Sequence, residues 1–277
     1  MDTLLVTFVY PAVVDFLEGF LSNCDNQTFK PSKVLFFNDG VVNLEAYLSN
    51  FSIPWESIPV NGTIVENRFF ALEDLKKRPQ ANIVFQDADD LMSVNRVEKV
   101  VDYLKTHQLV VNDLDIMNAD GVVTNEKYWS ERLDNGFIFD YHFIEKLNIV
   151  GFGNTSLQSQ LLKTELSNSR VAPLAADWFV FYQLLEKSNS KGIFINEGTT
   201  LYRQHDNNTA GLGCVTIQRI NHAFEVKKKH YQALQECGYD CAELLKEIEI
   251  NQKVTYKNNL FNIKKPLFWW EETTLIV

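Results

Sequence analysis

A chain of 277 residues with 45% hydrophobic and 13% aromatic content can bury a large core, which excludes a disordered segment and leaves room for one large domain with an appendage. The formal charge of −10 divides into −11 on residues 1–218 and +1 on the remainder, and so acidic a body argues against nucleic acid as a partner. No apolar run reaches membrane-spanning length, and the opening "MDTLLVTFVYPAVVDF" lacks a basic start and carries Pro11 and Asp15. It therefore reads as a strand followed by a helix rather than a signal peptide, and a cytoplasmic protein is expected. Cys24, Cys214, Cys237 and Cys241 form no CxxC pair and are expected to be free thiols.

In chain order, apolar strand-like runs alternate with helix-length segments: "TLLVTFV", "AVVDFLEGFLSN", "KVLFF", "VNLEAYLSNF", "WESIPV", "ENRFFALEDLKKR" and "NIVFQ". Such alternation predicts βαβ crossovers and a mixed, mostly parallel sheet with helices on both faces. A helix over "SVNRVEKVVDYLKTH" and a strand over "QLVVNDLDIMN" follow, then an irregular stretch of polar and aromatic residues that includes "FGNTSLQSQLLKTEL". "AADWFVFYQLLEKSN" reads as a helix opening at Asp177, and "VTIQRINHAFEVKKKHYQALQECG" and "AELLKEIEINQKVTYKNNLFNI" as C-terminal helices with apolar spacing near 3.6.

The chemistry concentrates at two polar turns. "NDG" at residues 38–40 follows one strand, and "DADD" at 87–90 follows another, with Asp87, Asp89 and Asp90 within four residues. Ligands of parallel α/β sheets bind at the carboxyl ends of the strands, so both turns belong on one edge and can gather Asp39, Asp87 and Asp89 around one cleft. Carboxylates so crowded repel one another unless a cation accompanies them, although an acidic capped loop would have the same sequence.

The order of "VLFFNDG", "ANIVFQDADDLMSVNRV", "PLAADWFVFYQLL" and "LYRQHDNNTAG" resembles that of family 2 glycosyltransferases of the GT-A fold, over most of residues 3–211. The chain departs from the family pattern at Pro11, Val41, Val94 and Ala176, none of which removes a group the chemistry requires. The resemblance implies a GT-A domain at 1–213, with a nucleotide half at 1–92 and an acceptor half at 93–213, and a helical extension at 214–277.

It further implies sugar transfer, commonly inverting, from a UDP- or dTDP-sugar to a glycan or lipid-linked hydroxyl, in surface polysaccharide synthesis. Asp89, with Asp87 and His205, would hold Mn²⁺ or Mg²⁺, and Asp90 is a secondary ligand or a helix cap. Asp39 would accept a hydrogen bond from a pyrimidine, with Tyr10 beside the base, Arg68 reaching the nucleotide and Asp87 the ribose. Asp177 would be the general base, Trp178 would exclude water or stack on a sugar, and Arg203 would clamp the diphosphate in a loop that Gly211 and Gly213 let close. The C-terminal helices, with Lys-rich "VKKKHY" and "IKKPLFWW", would pack on the domain, form a homo-oligomer or touch the inner membrane face.

Two other readings remain open. "DADDL" after a strand superficially suits a haloacid-type phosphohydrolase, but Leu91 stands where Thr or Val is usual and several strand-helix units precede it. A GT-A module that binds a nucleotide sugar without turnover would share every feature except the need for Asp177.

Overall fold

The computed structural model describes residues 1–204 and 217–258. It opens with strand β1 (Asp2–Val9), helix α1 (Val14–Asp25), β2 (Lys33–Asn38), the short α2 (Leu44–Leu48), β3 (Trp55–Pro59), α3 (Ile64–Lys77) and β4 (Ala81–Phe85). The second half contains β5 (Leu91–Met92), α4 (Arg96–Leu104), β6 (Leu109–Met117), β7 (Val123–Asn125), β8 (Phe137–Phe139), α5 (Tyr141–Ile144), β9 (Thr155–Gln158), α6 (Ala176–Ser188) and β10 (Gly192–Arg203). Helices α7 (Ile217–Glu236) and α8 (Ala242–Asn258) follow.

All ten strands of the described residues join one sheet, ordered β3-β2-β1-β4-β9-β6-β10-β5, with β7 on β6 and β8 on β10. The long strands β1, β2, β3, β4, β6 and β10 run the same way, and β5, β7, β8 and β9 run against them. The expectation of a mostly parallel sheet is met. Strands β2 and β4 are buried almost end to end, as strands covered on both faces must be, so their sequences show unbroken apolar runs rather than alternation. One face packs on α1, α2 and α4 through residues such as Leu17, Phe20, Leu44, Val97 and Val100. The other packs on α3, α6 and the C-terminal helices.

Strand β9 is the element the sequence concealed. Thr155 and Ser156 are fully buried yet polar, and the run is too short for a period to register, but it is inserted antiparallel between β4 and β6. "VNLEAYLSNF" forms only the five residues of α2, whose entry residue Asn43 is left-handed at φ 55. Helix α3 starts as its residues dictate: Thr63 and Glu66 form a reciprocal capping box.

The C-terminal helices are continuous with this core. Ile220, Phe224, Tyr231 and Leu234 of α7 and Ile248 of α8 bury against it, and the Tyr231 hydroxyl donates to the Glu145 carbonyl at 2.9 Å. The His230 ring of α7 lies flat on Trp178 of α6, with centroids 3.8 Å apart and planes within 5°. Burial pushes the His230 imidazole down to about 3, so the ring is neutral and acts as a hydrophobic plate. Cys24, Cys237 and Cys241 are free thiols, as expected, and Cys214 lies outside the described residues. Among the described residues no helix is long and apolar enough to cross a membrane.

Because α7 completes the core, Phe224→Ala should cost about 3–5 kcal/mol, as aromatic truncations in a core do. Urea unfolding followed by tryptophan fluorescence should show one transition moved to lower denaturant. Two transitions, only one of them moved, would mean that the C-terminal helices unfold on their own.

Candidate active site

The carboxyl ends of β1, β2 and β4 open into a cleft of about 870 Å³ whose walls include Tyr10, Asp39, Arg68, Asp87, Asp89 and Asp177. Six of the residues that the sequence singled out are thereby brought together. A side chamber of about 150 Å³ meets the cleft at Asp87, Asn148, Asp177 and Tyr202.

At the nucleotide end, the turn after β2 is shaped by Asn38, whose side chain exchanges hydrogen bonds with both backbone groups of Val41, and by Gly40 at φ +87. Asp39 is thereby presented to the cleft. Its Oδ2 accepts from Asn67 Nδ2 at 3.0 Å, and the Asn67 amide is fixed in turn by the Gly62 N–H at 2.8 Å and the Gly62 carbonyl at 3.1 Å. Asn67 is 5% exposed and was not foreseen, since a polar residue in a helix carries no mark of which partner it will find. Tyr10, 41% exposed, lines the same end. Its hydroxyl is pushed up to about 12 by burial and by the Asp89 and Asp87 carboxylates.

Arg68 faces the cleft rather than solvent. Its guanidinium lies 3.5 Å above the Phe8 ring and 4.7 Å from that of Phe152, and Nη2 is 3.5 Å from Asp87 Oδ1. Nη1 is buried with no hydrogen-bond partner, an expensive state that an incoming oxyanion or hydroxyl would relieve. Burial lowers the Arg68 pKa, opposed by Asp87, Asp177, Tyr10 and Asp89.

The acidic turn rests on a buried cation, Arg96, which nothing in its helical sequence sets apart. Arg96 is fully buried and donates to Asn112 Oδ1 at 2.8 Å, Gln86 Oε1 at 2.5 Å and the Phe85 carbonyl at 2.9 Å. Burial lowers its pKa to about 9, while Asp90 and Asp87 hold the charge in place. Asp90 is 1% exposed and its Oδ1 accepts from the Arg203 backbone N–H at 2.7 Å, so it ties the turn to β10 and does not cap a helix. Burial raises the Asp90 pKa well above the carboxylate range, reinforced by Asp89 and Asp87. Asp87 is raised to about 6 by burial, with Arg68 opposing and Asp89 adding to the shift. Gly153 makes room beside them, because a Cβ there would come within 2.8 Å of Asp87 Oδ2 and 3.4 Å of Asp90 Oδ2.

Two expectations need correction. Arg203 does not line the cleft: Nε donates to the Asp89 carbonyl and Nη1 to the Ala119 carbonyl, each at 2.8 Å, so it braces the acidic turn from behind. Trp178 is fully buried, donates Nε1 to the Ile144 carbonyl and stacks on His230, so its face meets protein and not a sugar. His205, Gly211 and Gly213 lie outside the described residues.

Asp177 stands at the junction of cleft and chamber, in the first turn of α6. Its Oδ1 accepts from the Trp178 N–H at 2.7 Å. Burial raises its pKa to about 6, against the Trp178 hydrogen bond and with a contribution from Asp87. A carboxyl of this kind is a competent proton acceptor near neutral pH.

Among the described residues no group of three or more metal-ligating side chains converges. Asp87 and Asp89 still suit a hard divalent ion of the type held by one or two carboxylates and completed by substrate phosphates, since both line the cleft and Asp87 is crowded by like charge.

No family model and no curated protein matches the chain in sequence. Solved structures do match in fold. The crystal structure of S. aureus TarS 1–349 superposes with a TM-score of 0.58 at 13% identity, over 96% of this chain and 76% of that one. The same protein in complex with UDP-GlcNAc gives 0.57 at 12%, over 89% and 70%. GalNAc-T7 with UDP, GalNAc and Mn²⁺ gives 0.52 at 11%, over 98% of this chain and 56% of that one. The mixed sheet flanked by helices is that of GT-A glycosyltransferase structures.

The raised Asp177 pKa has a consequence for stability. A carboxyl that ionises at about 6 when folded and near 3.8 when unfolded adds stability below pH 4, and this is lost as pH rises through 6. Asp177→Asn should therefore raise stability at pH 7.5 by about 2 kcal/mol, after a discount for partial exposure, and by almost nothing at pH 4. Denaturant melts at the two pH values measure this, and an equal gain at both would contradict it.

Proposed function

We propose that this chain is a nucleotide-sugar-dependent glycosyltransferase of the family 2 type. It would move a hexosyl group from a UDP- or dTDP-sugar to a hydroxyl of a glycan or lipid-linked acceptor, with inversion. The observation that carries the reading is the convergence of Asp39, Arg68, Asp87, Asp89 and Asp177 on one cleft at the carboxyl edge of a GT-A sheet. The neighbours crystallised with UDP, with UDP-GlcNAc or with UDP, GalNAc and Mn²⁺ support a nucleotide sugar as the ligand class.

In this reading Asp39, steadied by Asn67, accepts from the imide N–H of the pyrimidine, and Tyr10 lies beside the base. Arg68 offers its unpartnered Nη1 to the nucleotide and counters charge on the diphosphate. Asp89 and Asp87 hold Mn²⁺ or Mg²⁺, which when bound stabilises the negative charge of the departing diphosphate. Asp177 takes the proton of the acceptor hydroxyl as its oxygen bonds to the anomeric carbon. The bond from that carbon to the diphosphate oxygen breaks, and its electron pair leaves with the nucleotide.

Asp177→Asn should lower transfer, or slow donor hydrolysis, at least a hundredfold while UDP still binds. In the wild type, kcat should fall about tenfold per pH unit below the Asp177 pKa of about 6. A wild type that binds UDP but turns over no donor with any acceptor would establish a binding module instead. Asn67→Ala should raise the donor KM about tenfold with kcat little changed, because it loosens the base contact and leaves the reacting atoms alone. Excess chelator should weaken UDP binding, and an unchanged affinity would remove the metal from the site.

A further inference from the structure

Asp177 does not hold its place alone. Asp87, Asn148, Asp177 and Tyr202 stand where the cleft meets the side chamber, and Asn148 is the amide among them. The segment that carries it, residues 148–154, is tied down at nearly every step. Asn148 Oδ1 accepts from the Val150 N–H at 3.2 Å, and Asn154 Oδ1 from the Gly151 N–H at 2.8 Å. Asn154 Nδ2 donates to the Asn112 and Ile149 carbonyls, each at 3.1 Å, and the Gly153 carbonyl accepts from the Thr200 hydroxyl at 2.8 Å. Neither glycine has room for a side chain. A Cβ on Gly151 would come within 2.8 Å of Asn154 Oδ1 and 3.7 Å of Asp177 Oδ2, and one on Gly153 within 2.8 Å of Asp87 Oδ2. The segment is therefore a rigid strap that touches the acidic turn and Asp177 together.

The orientation of the Asn148 amide follows from this frame. Its oxygen must face the Val150 N–H, which leaves Nδ2 to donate to the Asp177 carboxyl, with which the side chain is hydrogen-bonded. One oxygen of that carboxyl is already fixed by the Trp178 N–H. A second anchor defines the plane of the carboxylate, and with it the direction from which a proton can be taken.

We infer that Asn148 is a positioning residue for the proton acceptor, holding the Asp177 carboxylate in the plane from which it deprotonates the acceptor hydroxyl. The inference rests on the reading of Asp177 as the general base. The charged groups that face Asp177 are Asp87, which disfavours its ionised form, and Arg68, which favours it. Tyr202, raised by burial, stays neutral. Asn148 acts in the same sense as Arg68, because a donor to a carboxylate stabilises the ionised form.

The test is an NMR titration of the whole protein labelled at its aspartate carboxyl carbons, with the Asp177 signal identified by its loss in Asp177→Asn, alongside the pH profile of kcat. In Asn148→Ala the Asp177 midpoint should rise above its wild-type value of about 6, because the ionised form has lost a donor. The kcat plateau above that midpoint should fall about tenfold, with donor KM changed less than about twofold. A strap that merely loosened would let water reach the carboxyl and move the midpoint the other way, toward the ordinary 3.8. Asn148→Asp keeps an oxygen for the Val150 N–H and so spares the strap, but sets a carboxyl where the donor was, and it too should raise the midpoint and lower kcat. It decides alone if Asn148→Ala does not fold. A midpoint unchanged or lowered in the variants, or a kcat plateau equal to that of the wild type, would overturn the inference and leave the general-base reading standing. A wild type that turns over no donor with any acceptor would overturn that reading and the positioning role with it.

Discussion

Three carboxylates within four residues at the end of a buried strand are tolerable only because the protein has placed compensating groups on every side of them. Arg96 sits beneath, wholly out of water, and gives all its visible hydrogen bonds to neutral acceptors, so its charge remains available to Asp90 and Asp87 through space. Arg68 covers the open side from two aromatic rings, and Arg203 holds the turn by its carbonyl and its buried aspartate. Burial, with the neighbouring carboxylates adding to it, still raises Asp87 and Asp90. A cation at the open side would favour their ionised forms.

The same logic separates the acids by task. Asp90 has become a structural tie, Asp39 is held by a neutral amide, and Asp177 is isolated enough for burial to dominate its titration. Neighbouring groups of one chemical type thus acquire different proton affinities from their surroundings alone, which is how a single cleft can grip charge in one place and accept a proton in another.

Much of this was legible in the sequence because it follows from local rules. Parallel strands announce themselves as unbroken apolar runs, and polar residues immediately after them must lie on the binding edge, which located Asp39, Asp87 and Asp89, whereas Asp177 was reached only through the family resemblance. The residues that escaped notice depend on contacts between distant segments. Asn67 and Arg96 lie in helices whose patterns suit a solvent-facing residue equally well, and Gly153 matters for the side chain it lacks. Trp178, expected to exclude water or stack on a sugar, and Arg203, expected to clamp a diphosphate, took those roles from the family resemblance, but neighbouring positions on a helix or strand point different ways. Strand β9 was hidden by its polar, four-residue composition.

That small strand has a mechanical effect. Hydrogen-bonded to β4 on one flank and β6 on the other, β9 rivets the β3-β2-β1-β4 part of the sheet to the β6-β10-β5 part, so among the described strands no seam runs between them along which a hinge could operate. Whatever rearrangement admits a substrate or releases a product must come from the walls above the strand edge. The floor that carries the carboxylates stays a fixed anvil throughout.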